Sequence, residues 1–353
     1  MIPHIVKKIR YIFLSVLLIG CNTDDDPIFV PQPSGAVLAP NVGGPAEPNQ
    51  VWIDLDTQTM KVNQRDSWDF GFYNGNEFLV ILNGSILMAA GKTEFTDIDA
   101  VTEANVASLK LSVLVNNFDA ENVKYVDDIK GNYLKRTAID KISINDSENK
   151  VYLINMGYAV YKGNETSLHS SGDFRGWKKV RILRYKNNQY KIQYANLSDT
   201  THKEFIINKN NNYLFNFLSL ENGIEDIQPP KDNWDLCFTV FTNENVGHGT
   251  YSFADFVILN TLNKTAAYQV NTTTSSLTYE NFTKDQVDPS KFIYDDQRVI
   301  GSTWRSTYAG ATVYTNRFYV IKDNIGTLYK IRFLKMTNNE GHRGYPEFEY
   351  KPL

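Results

Sequence analysis

The chain has 353 residues, 42% hydrophobic and 22% charged, the composition of a folded globular protein with room for two domains. A net charge of −4, with no basic cluster beyond the first ten residues, argues against nucleic acid as a partner. Aromatic residues reach 13%, mostly Tyr and Phe, against 12 prolines, which suits pleated strands better than helices.

The N-terminus reads as a secretory signal. Lys7, Lys8 and Arg10 precede a short apolar run, Tyr11 to Ile19, that is too short to span a bilayer. Leu18-Ile19-Gly20-Cys21 looks like a bacterial lipobox, whose cysteine becomes the acylated first residue once residues 1–20 are removed. Cleavage takes away three bases and no acid, leaving 33 bases against 40 acids. Acyl chains on Cys21, such as palmitate, each methylene worth ~0.8 kcal/mol when buried, would hold the protein on a membrane. Asn22-Thr-Asp-Asp-Asp26 resembles the acid-rich signal that sends lipoproteins of the Bacteroidota to the outer cell surface. Six prolines and three glycines in residues 27–50 give 21–50 the character of a tether. Cys237, inside an apolar stretch, has no partner for a disulfide framework and reads as a small buried hydrophobe.

Alternation dominates from residue 51, and the pattern is written twice. Trp68-Asp-Phe-Gly-Phe-Tyr73 is echoed by Trp234-Asp-Leu-Cys-Phe-Thr-Val240, and Phe78 to Asn83 by Phe256 to Asn260. Thr102-Glu-Ala-Asn-Val106 is echoed by Thr283-Lys-Asp-Gln-Val287, each opening a short helix at a capping Thr. A hairpin over 180–194 is matched to one over 317–333. The expected architecture is therefore mainly β: two tandem antiparallel modules, 51–205 and 206–353, each with a short helix. Asp69 and Asp235 hold the same repeat position and are expected to serve the fold.

The ordered set of features resembles a known family. It comprises the lipobox, the Trp-Asp strand, the helix near Thr283, and the hairpin Arg317-Phe-Tyr-Val to Gly326-X-X-Tyr329-Lys-Ile-Arg-Phe333. The closing segment Gly341-His-Arg-Gly344 to Glu347-Phe-Glu-Tyr350 completes it. This is similar to the HmuY family of heme-binding surface lipoproteins of Bacteroidota, best over 206–353 and weaker over 51–205. The resemblance implies a hand-like cleft that grips heme, and delivery of the cargo to an outer-membrane TonB-dependent receptor. It also implies a lipid-anchored location on the outer membrane, facing the exterior.

Family members hold heme iron with paired His or Met side chains from the region between the helix and the final hairpin. In the second module that region, 288–316, holds neither residue; Tyr308 and Tyr314 are reserve candidates there, since phenolate ligates heme iron. In the first module it holds Met156 and His169, a thioether and an imidazole, which are the leading axial candidates. Read without the resemblance, Met156 is core filler and His169 a solvated loop residue. His248, between two glycines in the enlarged second-module hairpin, is a further reserve. His202 falls in the link between modules. No metal other than heme iron is implied.

The chain contains no Gly-rich phosphate loop, H-E-x-x-H or G-x-S-x-G, so nothing in it proposes an enzyme. The leading expectation is a heme- or tetrapyrrole-binding surface lipoprotein. The alternative is a non-heme accessory module of an outer-membrane uptake complex, or an adhesin.

Overall fold

The computed structural model describes residues 34–353 apart from Asn164, Glu165, Ser275 and Ala309. The signal segment, Cys21 and the acidic run after it lie outside the described residues. Among the described residues no helix is long and apolar enough to cross a membrane.

The alternating segments become two antiparallel five-stranded sheets. The first runs Lys203–Asn208, Gln189–Asn196, Trp177–Tyr185, Tyr152–Asn155, Ala89–Lys92 in spatial order. The second runs Ala36–Leu38, Arg343–Pro352, Leu328–Thr337, Arg317–Lys322, Ala266–Asn271. Each buries its inward residues in a core of its own. Phe70, Phe72, Ile154, Ile182 and Ile192 fill one, and Phe238, Ile321, Tyr329, Ile331 and Phe348 the other.

Register proves the duplication residue by residue. Ala90 pairs with Ile154 as Ala267 pairs with Ile321, and Tyr152 faces Val180 as Tyr319 faces Ile331. One step away, Leu153 faces Lys179 and Val320 faces Lys330. Both lysines are buried, and both spend their ammonium on backbone carbonyls. Lys179 Nζ donates to Val101 O (2.8 Å) and Asp199 O (2.7 Å). Lys330 Nζ donates to Phe282 O (2.7 Å) and Tyr279 O (2.6 Å). Val101 and Phe282 each sit just before the capping Thr of their module, so the buried ammonium fixes where the cap lies.

The caps themselves are alike. Asn105 Oδ1 accepts from Thr102 N–H (2.8 Å), and Gln286 Oε1 from Thr283 N–H (2.7 Å). The helices they open are not. Glu103–Lys110 is an α-helix, whereas Lys284–Gln286 is a single 3-10 turn. Val287 already leaves the helical region (φ −69°, ψ 125°), and Pro289 keeps the next residue, Asp288, extended as well (φ −100°, ψ 103°).

The two halves are interlocked. Asn49–Asp54 and Thr59–Gln64, near the start of the first half, join the sheet of Leu236–Asn245 and Gly249–Leu259. Reciprocally, Phe215–Ser219 and Gly223–Glu225 from the second half join Phe70–Tyr73 and Val80–Leu82. Ile53 opposes Leu236 just as Leu218 opposes Phe70. Each half thus donates a hairpin to the Trp-Asp strand of the other, and the described residues from 34 onward fold as one unit.

The two aspartates lock this exchange. Asp69 Oδ2 accepts from Leu220 N–H (2.7 Å), and Asp235 Oδ2 from Leu55 N–H (3.0 Å), each at the turn of the donated hairpin. They serve the fold, as their repeat position suggested.

Two sequence expectations need correction. The hairpin of 177–196 is equivalent not to that of 317–333 but to the next one, 328–352. The 317–322 strand corresponds to Tyr152–Asn155, so the match was one strand out. The Pro- and Gly-rich segment is also no free tether from residue 34 onward. Ala36–Leu38 pairs with Phe348–Tyr350, and Gly44–Ala46 forms a 3-10 turn. Gly43 and Gly44 supply the positive φ values (91° and 79°) that this turn needs, and the guanidinium of buried Arg65 donates to Ala46 O and Glu47 O.

Candidate functional site

An open cleft of about 650 Å3 lies against the first sheet and the donated hairpin. Its wall includes Met156, Arg175, Lys178, Tyr194, His202 and Lys203. The volume lies within the ~300–1,000 Å3 range of small-molecule sites.

Met156 directly follows the Tyr152–Asn155 strand and is 2% exposed. Its N–H donates to Gly176 O (3.0 Å), and the next residue, Gly157, turns at φ +67°. A Cβ on Gly157 would stand 1.9 Å from Ile86 O, so only glycine permits the turn that holds Met156 at the cleft wall. Arg175 reinforces it. Its Nη1 donates to Met156 O (3.2 Å), and its Nη2 pairs with the buried Asp69 carboxylate (2.7 Å). One aspartate therefore joins the hairpin lock to the cleft.

The charges on the cleft wall are mixed in sign, Arg175, Lys178 and Lys203 standing beside Asp69, Asp199 and Glu221. Arg175 is neutralised by Asp69. Lys178 Nζ donates to Asn196 Oδ1 (2.6 Å), and neither Lys178 nor Lys203 pairs with a carboxylate among the described residues. Two ammonium groups at the cleft can thus meet an anionic ligand without first breaking an ion pair. His202 is differently placed. Its Nδ1 lies 3.0 Å from both oxygens of Asp99, and its Nε2 3.0 Å from Gln193 Nε2 and 3.6 Å from Glu204.

Of the ligand candidates chosen from sequence, Met156 alone lines this cleft. His169 is exposed; its ring stacks on Tyr161 (4.0 Å between centroids, 7° between planes) and its N–H donates to Pro45 O (3.1 Å). His248 is exposed at the tip of the Leu236–Asn245 and Gly249–Leu259 hairpin. Tyr308 is 86% exposed, and Tyr314 lies under the guanidinium of Arg317 at 4.0 Å. His202, passed over in sequence as a linker residue, is part of the cleft wall. The signal for it was its place one residue before the sheet-edge strand Lys203–Asn208.

The HmuY protein family model matches the chain twice, over residues 46–212 and 187–350. No curated protein matches it. Several solved structures are similar at low identity. The apo HmuY analog of Tannerella forsythia is 8% identical, covering 90% of this chain and 95% of its own, with a TM-score of 0.23. A Bacteroides vulgatus chain described as an HmuY-like heme-binding protein is 10% identical over 90% and 92%, at 0.22. A Bacteroides fragilis chain described as a lipoprotein is 16% identical over 48% and 92%, at 0.21. Superpositions at that level fix no shared geometry.

Proposed function

The chain belongs to the HmuY family, with two family domains in tandem, and from that premise we propose a surface lipoprotein that binds heme or a related tetrapyrrole. The cleft walled by Met156 is the observation that supports this reading. Its size admits a macrocycle, and Lys178 and Lys203 can each meet a propionate. Heme bound there would supply an iron centre able to take an axial thioether from Met156. The chain's own part is to hold the thioether in place through Gly157 and Arg175, and to orient the carboxylates. Anchoring through Cys21 on the outer membrane, facing outward, and hand-over to a TonB-dependent receptor complete the proposal.

Hemin titration of the purified 34–353 chain tests it. Saturable binding with a sharpened Soret band is expected, and Met156→Ala should shift the band. A flat difference spectrum at micromolar hemin refutes heme as the ligand. Comparing His169→Ala with His202→Ala decides the second axial position. For His169 to serve, the loop must leave Tyr161 and Pro45; for His202, the imidazole must leave Asp99.

One observation favours a second reading, a non-heme accessory module of an uptake complex or an adhesin. Both ring nitrogens of His202 are already engaged and Met156 is packed into the core of the first sheet, so the cleft offers no ready pair of His or Met ligands. Co-purification with an outer-membrane receptor without heme supports that alternative.

A further inference from the structure

Asparagine followed by glycine is a chemically fragile step in a polypeptide. The glycine nitrogen can attack the asparagine side-chain carbonyl and close a five-membered imide, because no Cβ on the glycine blocks the approach. The chain contains three such steps: Asn74-Gly75, Asn83-Gly84 and Asn222-Gly223.

The fold protects two of them. Asn83 is fully buried. Its Nδ2 donates to Arg65 O (2.6 Å) and Trp68 O (2.8 Å), and its Oδ1 accepts from Ser85 N–H (3.1 Å) and the Ser85 hydroxyl (2.6 Å). Asn74 is 3% exposed. Its Nδ2 donates to Tyr213 O (3.1 Å) and Asn216 Oδ1 (3.3 Å), and its Oδ1 accepts from Asn210 N–H (2.9 Å). To meet the glycine nitrogen, either amide must leave all of these bonds inside a packed interior. Asn222 is different. It is exposed on the turn that joins Phe215–Ser219 to Gly223–Glu225 in the donated hairpin. Ser219 Oγ holds this turn by accepting from Glu221 N–H (3.3 Å) and Asn222 N–H (3.2 Å). The Asn222 side-chain amide makes no hydrogen bond among the described residues. Gly223 has φ +93°, and a Cβ there would meet nothing nearer than 4.0 Å, so the ring has room to close.

We propose that Asn222 is a site of spontaneous deamidation, singled out from the three by the fold. Gly223 N bonds to Asn222 Cγ. The amide nitrogen leaves as ammonia with the proton that Gly223 N gives up, and water then opens the imide at either carbonyl. The products are aspartate and isoaspartate, and no enzyme, metal or oxidant is needed. The position gives the change a consequence. Leu220 and Glu221, directly before Asn222, line the cleft, and Leu220 N–H is the group that Asp69 holds. Conversion puts a new negative charge beside Glu221, and isoaspartate also lengthens the backbone of this short turn. The inference does not rest on the heme reading, because it needs only the exposed turn and water.

The purified chain is held for days at about pH 6 and about pH 8, folded and in urea, and its peptides are mapped by mass spectrometry. In the folded chain the Asn222 peptide alone should gain the mass of an amide-to-acid exchange. It should do so faster at the higher pH, where base removes the Gly223 N–H proton. In urea all three Asn-Gly peptides should convert at similar rates, which shows that the fold makes the choice. The converted fraction should bind an anion exchanger more tightly, and Asn222→Gln, which would have to close a larger ring, should yield none. If that variant does not fold, the wild-type peptide map decides alone. Conversion of Asn74 or Asn83 as fast as Asn222 in the folded chain overturns the inference. So does a folded chain whose Asn222 peptide stays unchanged while the urea-treated chain reacts at all three steps.

Discussion

Replacing Asp235 by Asn isolates a buried carboxyl whose ionisation opposes folding. Asp235 is 4% exposed, and burial, with Asp323 and Asp54 nearby, lifts its pKa from 3.8 to about 7. Because the folded value is the higher one, the folded state binds the proton more tightly. The stabilisation is complete below about pH 4 and is lost as pH rises through about 7. A displacement of about 3 pH units corresponds to about 4 kcal/mol once the loss is complete. Asparagine cannot ionise, and its Oδ1 still accepts from Leu55 N–H, so the hairpin lock survives. Urea unfolding of wild type and Asp235→Asn at pH 5 and pH 8 gives two stability differences. The difference should move in favour of the variant by about 2–3 kcal/mol between those pH values. Asp127, raised by burial to about 6, titrates in the same window but in both proteins, so it cancels. Parallel pH profiles for the two proteins would show that Asp235 is not protonated at neutral pH, and the reasoning fails.

Two further outcomes rest on the fold. Lys179→Met removes both donors that serve Val101 O and Asp199 O, and should cost about 2 kcal/mol or more in urea unfolding, with the Thr102 helix losing amide protection first. A protease site placed at Asn211, in the exposed turn 210–212, should yield two pieces that co-elute by size exclusion and part only in denaturant, because each holds the other's hairpin.

The strands were legible because alternation is a local property. Phe70 and Phe72 face inward whatever they pair with, and the doubled Trp-Asp segment followed from that pattern. Partner choice is not local. Nothing in Val51-Trp-Ile53 says that its neighbour is Leu236–Phe238, some 180 residues away, rather than a strand of its own half. The slipped hairpin match has the same origin: two amphipathic strands in succession look alike, and only register separates them. The cleft was half visible. Met156 stood out by chemistry, whereas His202 needed the fold to bring the start of the sheet-edge strand beside it.

Pairing of Ala36–Leu38 with the last strand decides how the molecule answers a pull on its N-terminal side. That ladder is three residues long and lies at a sheet edge, so tension reaching Ser34 unzips it ahead of any inner strand. The load then passes to the Gly44–Ala46 turn, where buried Val42, the Arg65 guanidinium and the Glu47 carboxylate hold the segment in place. A pull from that side is therefore met twice, by a short edge ladder first and by the Arg65-held turn second.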